Sequence, residues 1–222
     1  MTTITAGTSL GSGLIYDSDT TGNLVIKTGN SASIAATFHG NATTTLGGPL
    51  YASSVYLTGT TTPLNPLVSG TANTSISGGS IVAFTSIPSS AKRITVMFSG
   101  VSTNGTSAPL VQIGTGGTAT TSGYNGAAVN LSNAGSIGVT TYTTGFGLNY
   151  GSASNVIYGH MIITLLNSNL WTASYNFAST GGGGICNGGG SVSLGGTLDY
   201  VCITTVGGTN LFDAGSINIM WE

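Results

Sequence analysis

The sequence predicts an all-β protein. Amphipathic helix patterns are almost absent, whereas short segments that alternate apolar and polar residues are frequent. Residues 170–177 show the alternation clearly, because Trp171, Ala173, Tyr175 and Phe177 fall on one face. The chain contains 37 glycines, and clusters of Gly, Asn and Pro separate the alternating segments, as turns separate strands.

The predicted strands follow one another along the whole chain. Two short ones come early and have few apolar residues, and the later ones are longer and carry most of the aromatic residues. In the later group, Ile94, Val96 and Phe98 share one strand face, as do Ile217, Ile219 and Trp221. The clearest strands are residues 24–28, 34–38, 81–84, 93–98, 170–177 and 217–221.

A boundary is predicted near Pro63 and Pro66, because proline cannot donate a hydrogen bond to a strand ladder. We expect an N-terminal β segment for attachment or for a shaft at 1–65 and a linker at 66–80. Residues 81–222 are then a knob, with the length of a jelly-roll-like antiparallel β-sandwich.

The chain has too few charged residues for an ordinary water-exposed protein surface. Three Lys and Arg and five Asp and Glu give a net charge of −2, and charged residues are 4% of the chain, against roughly 25% in ordinary soluble domains. Such a surface is expected in a membrane or against other proteins. No run of about 20 apolar residues occurs, and the first residues lack the pattern of an export signal, so no membrane insertion is expected.

Assembly with further copies is therefore expected. Residues 1–65 are rich in Gly and Thr and bury little apolar area alone. Lys27 and Lys92 are the only lysines, so sheet edges have little charge to protect them from pairing with other chains. A symmetric homotrimer would cover these edges.

Catalysis and nucleic-acid binding have little support in the sequence. Three cationic side chains cannot neutralise a phosphate backbone. In the larger domain the only carboxylate pair away from the terminus is Asp199 and Asp213, and we expect both to cap turns or face solvent. His160 is expected to be packed or to lie at a subunit interface. No catalytic residue is assigned, and the protein is not expected to be an enzyme.

No cofactor or metal site is expected either. The spacing of Cys186 and Cys202 fits no metal motif, and two reduced thiols are the default interpretation. Asp17 and Asp19 are too few for a calcium loop and favour a turn. The glycine tract at 181–190 lacks the Lys of a phosphate-binding loop, so we interpret it as a mobile or tightly turned surface loop.

Three tyrosines are candidates for receptor contact. Tyr124, Tyr142 and Tyr150 lie in or beside Gly-, Ser- and Asn-rich stretches, a composition typical of adaptable binding loops. Aromatic faces also stack on sugar rings. The alternative for each is packing inside the sandwich or at a subunit interface.

Two stretches carry a resemblance to a known class of proteins. Residues 19–29, DTTGNLVIKTG, resemble a phrase common in tail-fibre-like structural proteins of bacteriophages. Residues 87–100, 198–205 and the ending FDAGSINIMWE at 212–222 resemble a C-terminal domain of phage fibres and other virion appendages. The resemblance implies a trimeric β-sandwich knob on a virion that assembles in the host cytoplasm. The candidate residues for attachment to the particle are Leu14, Ile15, Tyr16, Leu24 and Ile26.

These observations lead to one preferred hypothesis and two alternatives. The preferred one is a non-enzymatic phage structural protein, a short trimeric fibre attached to other virion proteins, with a knob that contacts host surface glycans. Because few residues precede the knob, a trimeric decoration or cement protein of the capsid is the first alternative. A carbohydrate-degrading spike is the other, and it would depend on Asp199 and Asp213.

Overall fold

The computed structural model describes residues 24–27, 34–38 and 44–46 as backbone, and residues 67–181 and 184–222 with their side chains. The contacts divide the chain into two units, Met1–Leu64 and Asn65–Glu222. Within the described ranges every regular element is a β-strand. These ranges contain no helix with the length and apolarity to cross a bilayer. The predicted all-β class is confirmed.

The first unit contains a three-stranded antiparallel sheet in the order β1-β2-β3. Two of its strands are those predicted from the sequence, with β1 one residue shorter than expected. The bounds are β1 Leu24–Lys27, β2 Ile34–Phe38 and β3 Thr44–Leu46.

The second unit is built on an eight-stranded antiparallel sheet. Its long central strands alternate buried and exposed residues, as a sheet with one face against a core requires. In spatial order the strands are β10 Ile137–Tyr142, β9 Asn125–Leu131, β14 Gly184–Ser193, β13 Leu170–Thr180, β12 Val156–Asn167, β6 Arg93–Thr103, β16 Phe212–Trp221 and β4 Val68–Ser69.

A smaller sheet contributes the other half of the core. It is also antiparallel, and its two longer strands are buried along most of their length. In order it contains β11 Phe146–Gly147, β7 Pro109–Thr115, β15 Tyr200–Thr205 and β5 Val82–Phe84, and β8 Thr118–Ala119 pairs with β7.

The two sheets share one apolar core, which is the arrangement of a β-sandwich. Ile94, Val96 and Phe98 from the large sheet are buried in it, together with Ile113 and Val201 from the small sheet. Tyr175 Oη on β13 donates to Gly147 O on β11 at 2.9 Å, a buried hydrogen bond that joins the two sheets. The predicted inner faces of β6, β13 and β16 are confirmed.

The segment expected as a linker, 66–80, contributes to the second unit from Leu67 onwards. Gly70 N donates to Ile219 O at 2.8 Å, Asn73 forms a bridge with Ile217, and Ile76 is buried in the core. These residues join the sheet because their backbone N–H groups donate to carbonyl oxygens along the edge of β16 that β6 does not occupy. The linker expectation therefore does not describe these residues.

The glycine tract differs from the expected surface loop. Residues from Gly184 onwards form β14, which pairs with β13 on one side and with β9 on the other. A Cβ atom at Gly188 would overlap the ring of Tyr175 on β13. Glycine at this position thus leaves room for a large inward-facing ring. The turn at Gly181 retains the left-handed backbone of a loop, with φ 80°.

Candidate functional site

The eight-stranded sheet has one face against the core and one face that points outwards. On β13, Trp171, Ala173 and Tyr175 point into the core, so Thr172 and Ser174 point outwards. The same alternation on the neighbouring strands makes this face continuous. We call it the outer face.

Five adjacent strands of this sheet contain no Lys, Arg, Asp or Glu. They are β12, β13, β14, β9 and β10. Beyond these five strands, Arg93 on β6 and Glu222 after β16 form an exposed ion pair of 2.6 Å. A sheet face of this size normally carries several charges that keep it in water.

Apolar side chains cross this uncharged part in one register row. Tyr158 on β12 opposes Ala178, which opposes Ile185, then Leu131, then Ile137 on β10. All five are exposed, and Ile137 is 71% exposed. With strands about 4.8 Å apart, the row is about 19 Å long. We call these five residues the apolar row.

The next register row is polar in its centre. Its first member, His160 on β12, opposes Asn176 on β13, which opposes Asn187 on β14. The row continues to Val129 on β9 and to Val139 on β10, which is 70% exposed. His160 is exposed rather than packed in the core, because its position on β12 alternates with buried Met161. The expectation of a packed histidine is corrected, and the expectation of an interface histidine stays a prediction.

The carboxylates have structural partners. Asp199 accepts hydrogen bonds from the backbone N–H groups of Gly116 and Gly117, both at 3.0 Å, so it caps the β7–β8 turn as predicted. Asp213 is exposed on β16 and accepts a hydrogen bond from Ser102 Oγ. The two carboxylates thus have separate partners on different sheets.

The two cysteines are free and buried. Burial raises the pKa of the Cys186 thiol, and it raises that of Cys202 to about 11, because a thiolate is poorly solvated there. Neutral thiols are weak nucleophiles and weak metal ligands. Within the described ranges no three His, Cys, Asp or Glu side chains come together as metal ligands would.

The three tyrosines expected to face a receptor are buried in the sandwich. Tyr124, Tyr142 and Tyr150 are 1%, 6% and 3% exposed. Tyr124 Oη accepts from Ile113 N at 2.9 Å, and Tyr150 Oη donates to Phe177 O at 2.9 Å. The hydroxyls of Tyr124 and Tyr150 thus have backbone partners inside the sandwich, and the receptor-facing expectation for the three tyrosines is corrected.

The attachment candidates lie in the first unit. Leu14, Ile15 and Tyr16 lie outside the described residues. Leu24 and Ile26 lie on β1, whose backbone alone is described. Attachment through these five residues stays a prediction.

The apolar row was missed at the sequence level, although a partial signal was present. On β9, Val129 and Leu131 alternate with Ala128 and Asn130. On β10, Ile137 and Val139 alternate with Gly138 and Thr140. These pairs are recognisable as one face of two strands. The pairing of β14 with β9, which joins them to Ile185 and Tyr158, is set by tertiary structure.

The buried tyrosines predict a loss of stability at alkaline pH. Burial raises the pKa of Tyr142 to about 12 and also raises those of Tyr124, Tyr150 and Tyr175. Above pH 10 the unfolded chain releases these protons and the folded chain retains them, so unfolding becomes more favourable as pH rises. At pH 11 Tyr142 alone should lower the free energy of unfolding by roughly 1.4 kcal/mol, as measured by urea denaturation between pH 8 and pH 11.

Two phenylalanine variants separate burial from general alkaline damage. Tyr142→Phe removes a hydroxyl that ionises only in the unfolded chain within this range, so the decline between pH 8 and pH 11 should become shallower. Tyr158→Phe makes the same substitution at an exposed ring on the outer face and serves as the control. Equal declines in both variants and the unaltered protein would contradict the assignment to Tyr142.

Comparison with known proteins adds no relative. No protein-family model, no curated protein and no solved structure matches the chain.

Proposed function

We propose that this chain is a non-enzymatic structural protein of a bacteriophage particle, a short homotrimeric fibre. The first unit attaches to other virion proteins, and the second is an outward knob of jelly-roll type that contacts host surface glycans. The proposal combines the resemblance of residues 19–29 and 212–222 with the surface chemistry of the second unit. Tyr124, Tyr142 and Tyr150 are no longer candidates for the receptor surface, because they are buried.

The observation that carries the proposal is the uncharged part of the outer face, on β12, β13, β14, β9 and β10, with its apolar row. Large apolar patches on a protein surface mark contacts with other proteins, and exposed uncharged edge strands promote pairing between chains. The edge strand β10 has the sequence IGVTTY, without the lysine or proline that protects edges in monomeric proteins. A second copy that binds this part of the face buries no charged side chain, so binding carries no cost of desolvating a charge.

The assembly is tested by adding a charge to the outer face. Val139→Lys places an ammonium group on β10, and burying it at a subunit contact costs several kcal/mol. We expect the unaltered protein to sediment as an oligomer and the variant to sediment as a monomer that still unfolds cooperatively, because Val139 is not part of the core.

A matched control uses a valine elsewhere. Val206 is 50% exposed in the loop after β15, away from the outer face, so Val206→Lys adds the same charge without touching the proposed contact. It should retain the oligomer. Monomeric sedimentation of the unaltered protein at high concentration would contradict self-assembly altogether.

A trimeric decoration protein of the capsid is the second candidate. It is favoured by the uncharged apolar row, because such a surface suits contact with a capsid shell as well as contact with further copies. Imaging intact particles separates the two: density repeated over the head supports decoration, and density confined to the tail supports a fibre. Absence of the chain from the particle would contradict both.

A further inference from the structure

A groove lies between the edges of the two sheets. Among the described residues, β4 is the last strand of the large sheet and β5 is the last strand of the small sheet. The groove has a volume of about 530 Å³ and is lined by residues 69–73, at and after β4, and by residues 83–85, at and after β5. This volume lies within the range of about 300–1,000 Å³ that is typical of small-molecule sites.

Two aromatic rings connect the core to this groove. Trp221 follows Ile219 on the inner face of β16, and Phe84 follows Val82 on the inner face of β5. Ile219 and Val82 are buried, whereas Trp221 and Phe84 are half-buried and pack against the core from its edge. Both aromatic residues also line the groove. Each ring therefore has one part in the core and another part available to a ligand.

Neutral hydrogen-bonding side chains make up much of the remaining lining. Thr71, Asn73 and Thr85 line the groove, and all three are exposed. Asn73 Oδ1 accepts a hydrogen bond from Ser75 N at 3.3 Å, which orients the amide and leaves its Nδ2 group as a donor for a ligand. The lining contains no Lys, Arg, Asp, Glu or His. The groove thus combines aromatic surface with hydroxyl and amide groups.

The backbone of the wall at 69–73 is already paired with β16. Gly70 N donates to Ile219 O at 2.8 Å and Asn73 N donates to Ile217 O at 2.9 Å. In return, Ile217 N donates to Asn73 O at 3.0 Å. A strand from another chain therefore cannot form a ladder with these backbone groups, and recognition at this wall depends on side chains.

We propose that this groove binds a short neutral saccharide. The inference rests on the glycan contact in the function proposed above and gives that contact a place and a ligand class. A sugar ring has apolar C–H faces and a rim of hydroxyl groups, so it needs aromatic surface and neutral hydrogen-bonding groups together. Trp221 and Phe84 supply the first. Thr71, Asn73 and Thr85 supply the second.

Other ligand classes fit the lining less well. An acidic sugar would lose part of the hydration of its carboxylate without gaining a cation from the groove. An apolar chain would displace water from the hydroxyl and amide groups without replacing the hydrogen bonds. A neutral saccharide satisfies both the rings and the polar groups.

Tryptophan fluorescence of the full chain tests the site. The chain has two tryptophans, and Trp171 is 3% exposed and does not line the groove, so a ligand in the groove should change the emission of Trp221. The probes are maltotriose, mannotriose, galactotriose and chitotriose, with trigalacturonic acid as the acidic comparison. At least one neutral probe should change the emission in a saturable way, with the same Kd at low and at high NaCl concentration. Trigalacturonic acid should not bind.

Variants measured by titration calorimetry locate the binding. Thr85→Val replaces an exposed hydroxyl in the groove by a methyl group and should weaken binding about fivefold. Thr118→Val makes the same change at an exposed position on β8, outside the groove, and should bind like the unaltered protein. Trp221→Phe keeps an aromatic ring for the fold, and it should weaken binding and abolish the change in emission.

Each other outcome overturns the proposal in a recognisable way. Equal affinity of Thr85→Val, Trp221→Phe and the unaltered protein for a neutral probe contradicts this groove as the site, but agrees with glycan contact elsewhere on the knob. Binding of trigalacturonic acid that weakens with salt contradicts the neutral class. If no probe binds, the saccharide site is wrong, whereas the structural role in a particle is judged separately by sedimentation and by imaging.

Discussion

Replacing Ile219 by aspartate should abolish folding of the second unit. Ile219 is buried on β16, where its backbone is paired with both β6 and the chain near Gly70. An unpaired carboxylate at this depth costs several kcal/mol, a large fraction of the 5–15 kcal/mol by which domains are stable. We expect insoluble protein or, if soluble material is recovered, no cooperative thermal transition by circular dichroism.

An aspartate on the same strand provides the control. Ala214 is exposed on β16, so Ala214→Asp adds the same group where water can solvate it. This variant should be soluble and should melt within a few degrees of the unaltered protein. If Ile219→Asp behaved like Ala214→Asp, the end of β16 could not be part of the core.

Replacing Gly188 by valine should be the second most damaging change. A Cβ at this position overlaps the Tyr175 ring, which is buried and held by the hydrogen bond of its hydroxyl to Gly147 O. The ring cannot move aside without breaking that bond between the two sheets. Overpacking of this kind costs about 3 kcal/mol, measurable as a lower urea midpoint with an unchanged slope.

Two further variants show whether the clash is the cause. A Cβ at Gly195 meets no atom within 4 Å, so Gly195→Val should change the midpoint little. Combining Gly188→Val with Tyr175→Leu removes the ring, so the double variant should lose less stability than the sum of the two single losses. Strict additivity would contradict direct contact between residues 188 and 175.

The inner faces of the long strands were predictable because alternation is a local property. Ile94, Val96 and Phe98 repeat every second residue over a stretch long enough to recognise, and the same is true of residues 171–177. The turn role of Asp199 was predictable for a similar reason, since short polar residues beside glycines satisfy local backbone groups.

The tyrosines and the glycine tract could not be placed in this way. Tyr124 and Tyr150 lie in short, glycine-rich stretches where no alternation is visible, and partners distant in the chain decide that they point inwards. The glycines of β14 resemble a loop by composition. Their role as a strand depends on the Tyr175 ring of the neighbouring strand, which the sequence around them does not contain.

The amino-acid sequence by itself determined the all-β class, the inner faces of the long strands and the lack of charge. Tertiary structure alone decided which exposed residues lie side by side, and with them the apolar row. The physical reason is that composition and period are set by neighbours in the chain. The opposition of Ile185 to Leu131, in contrast, depends on the register between β14 and β9, and a slip of one residue would turn these side chains to the other face.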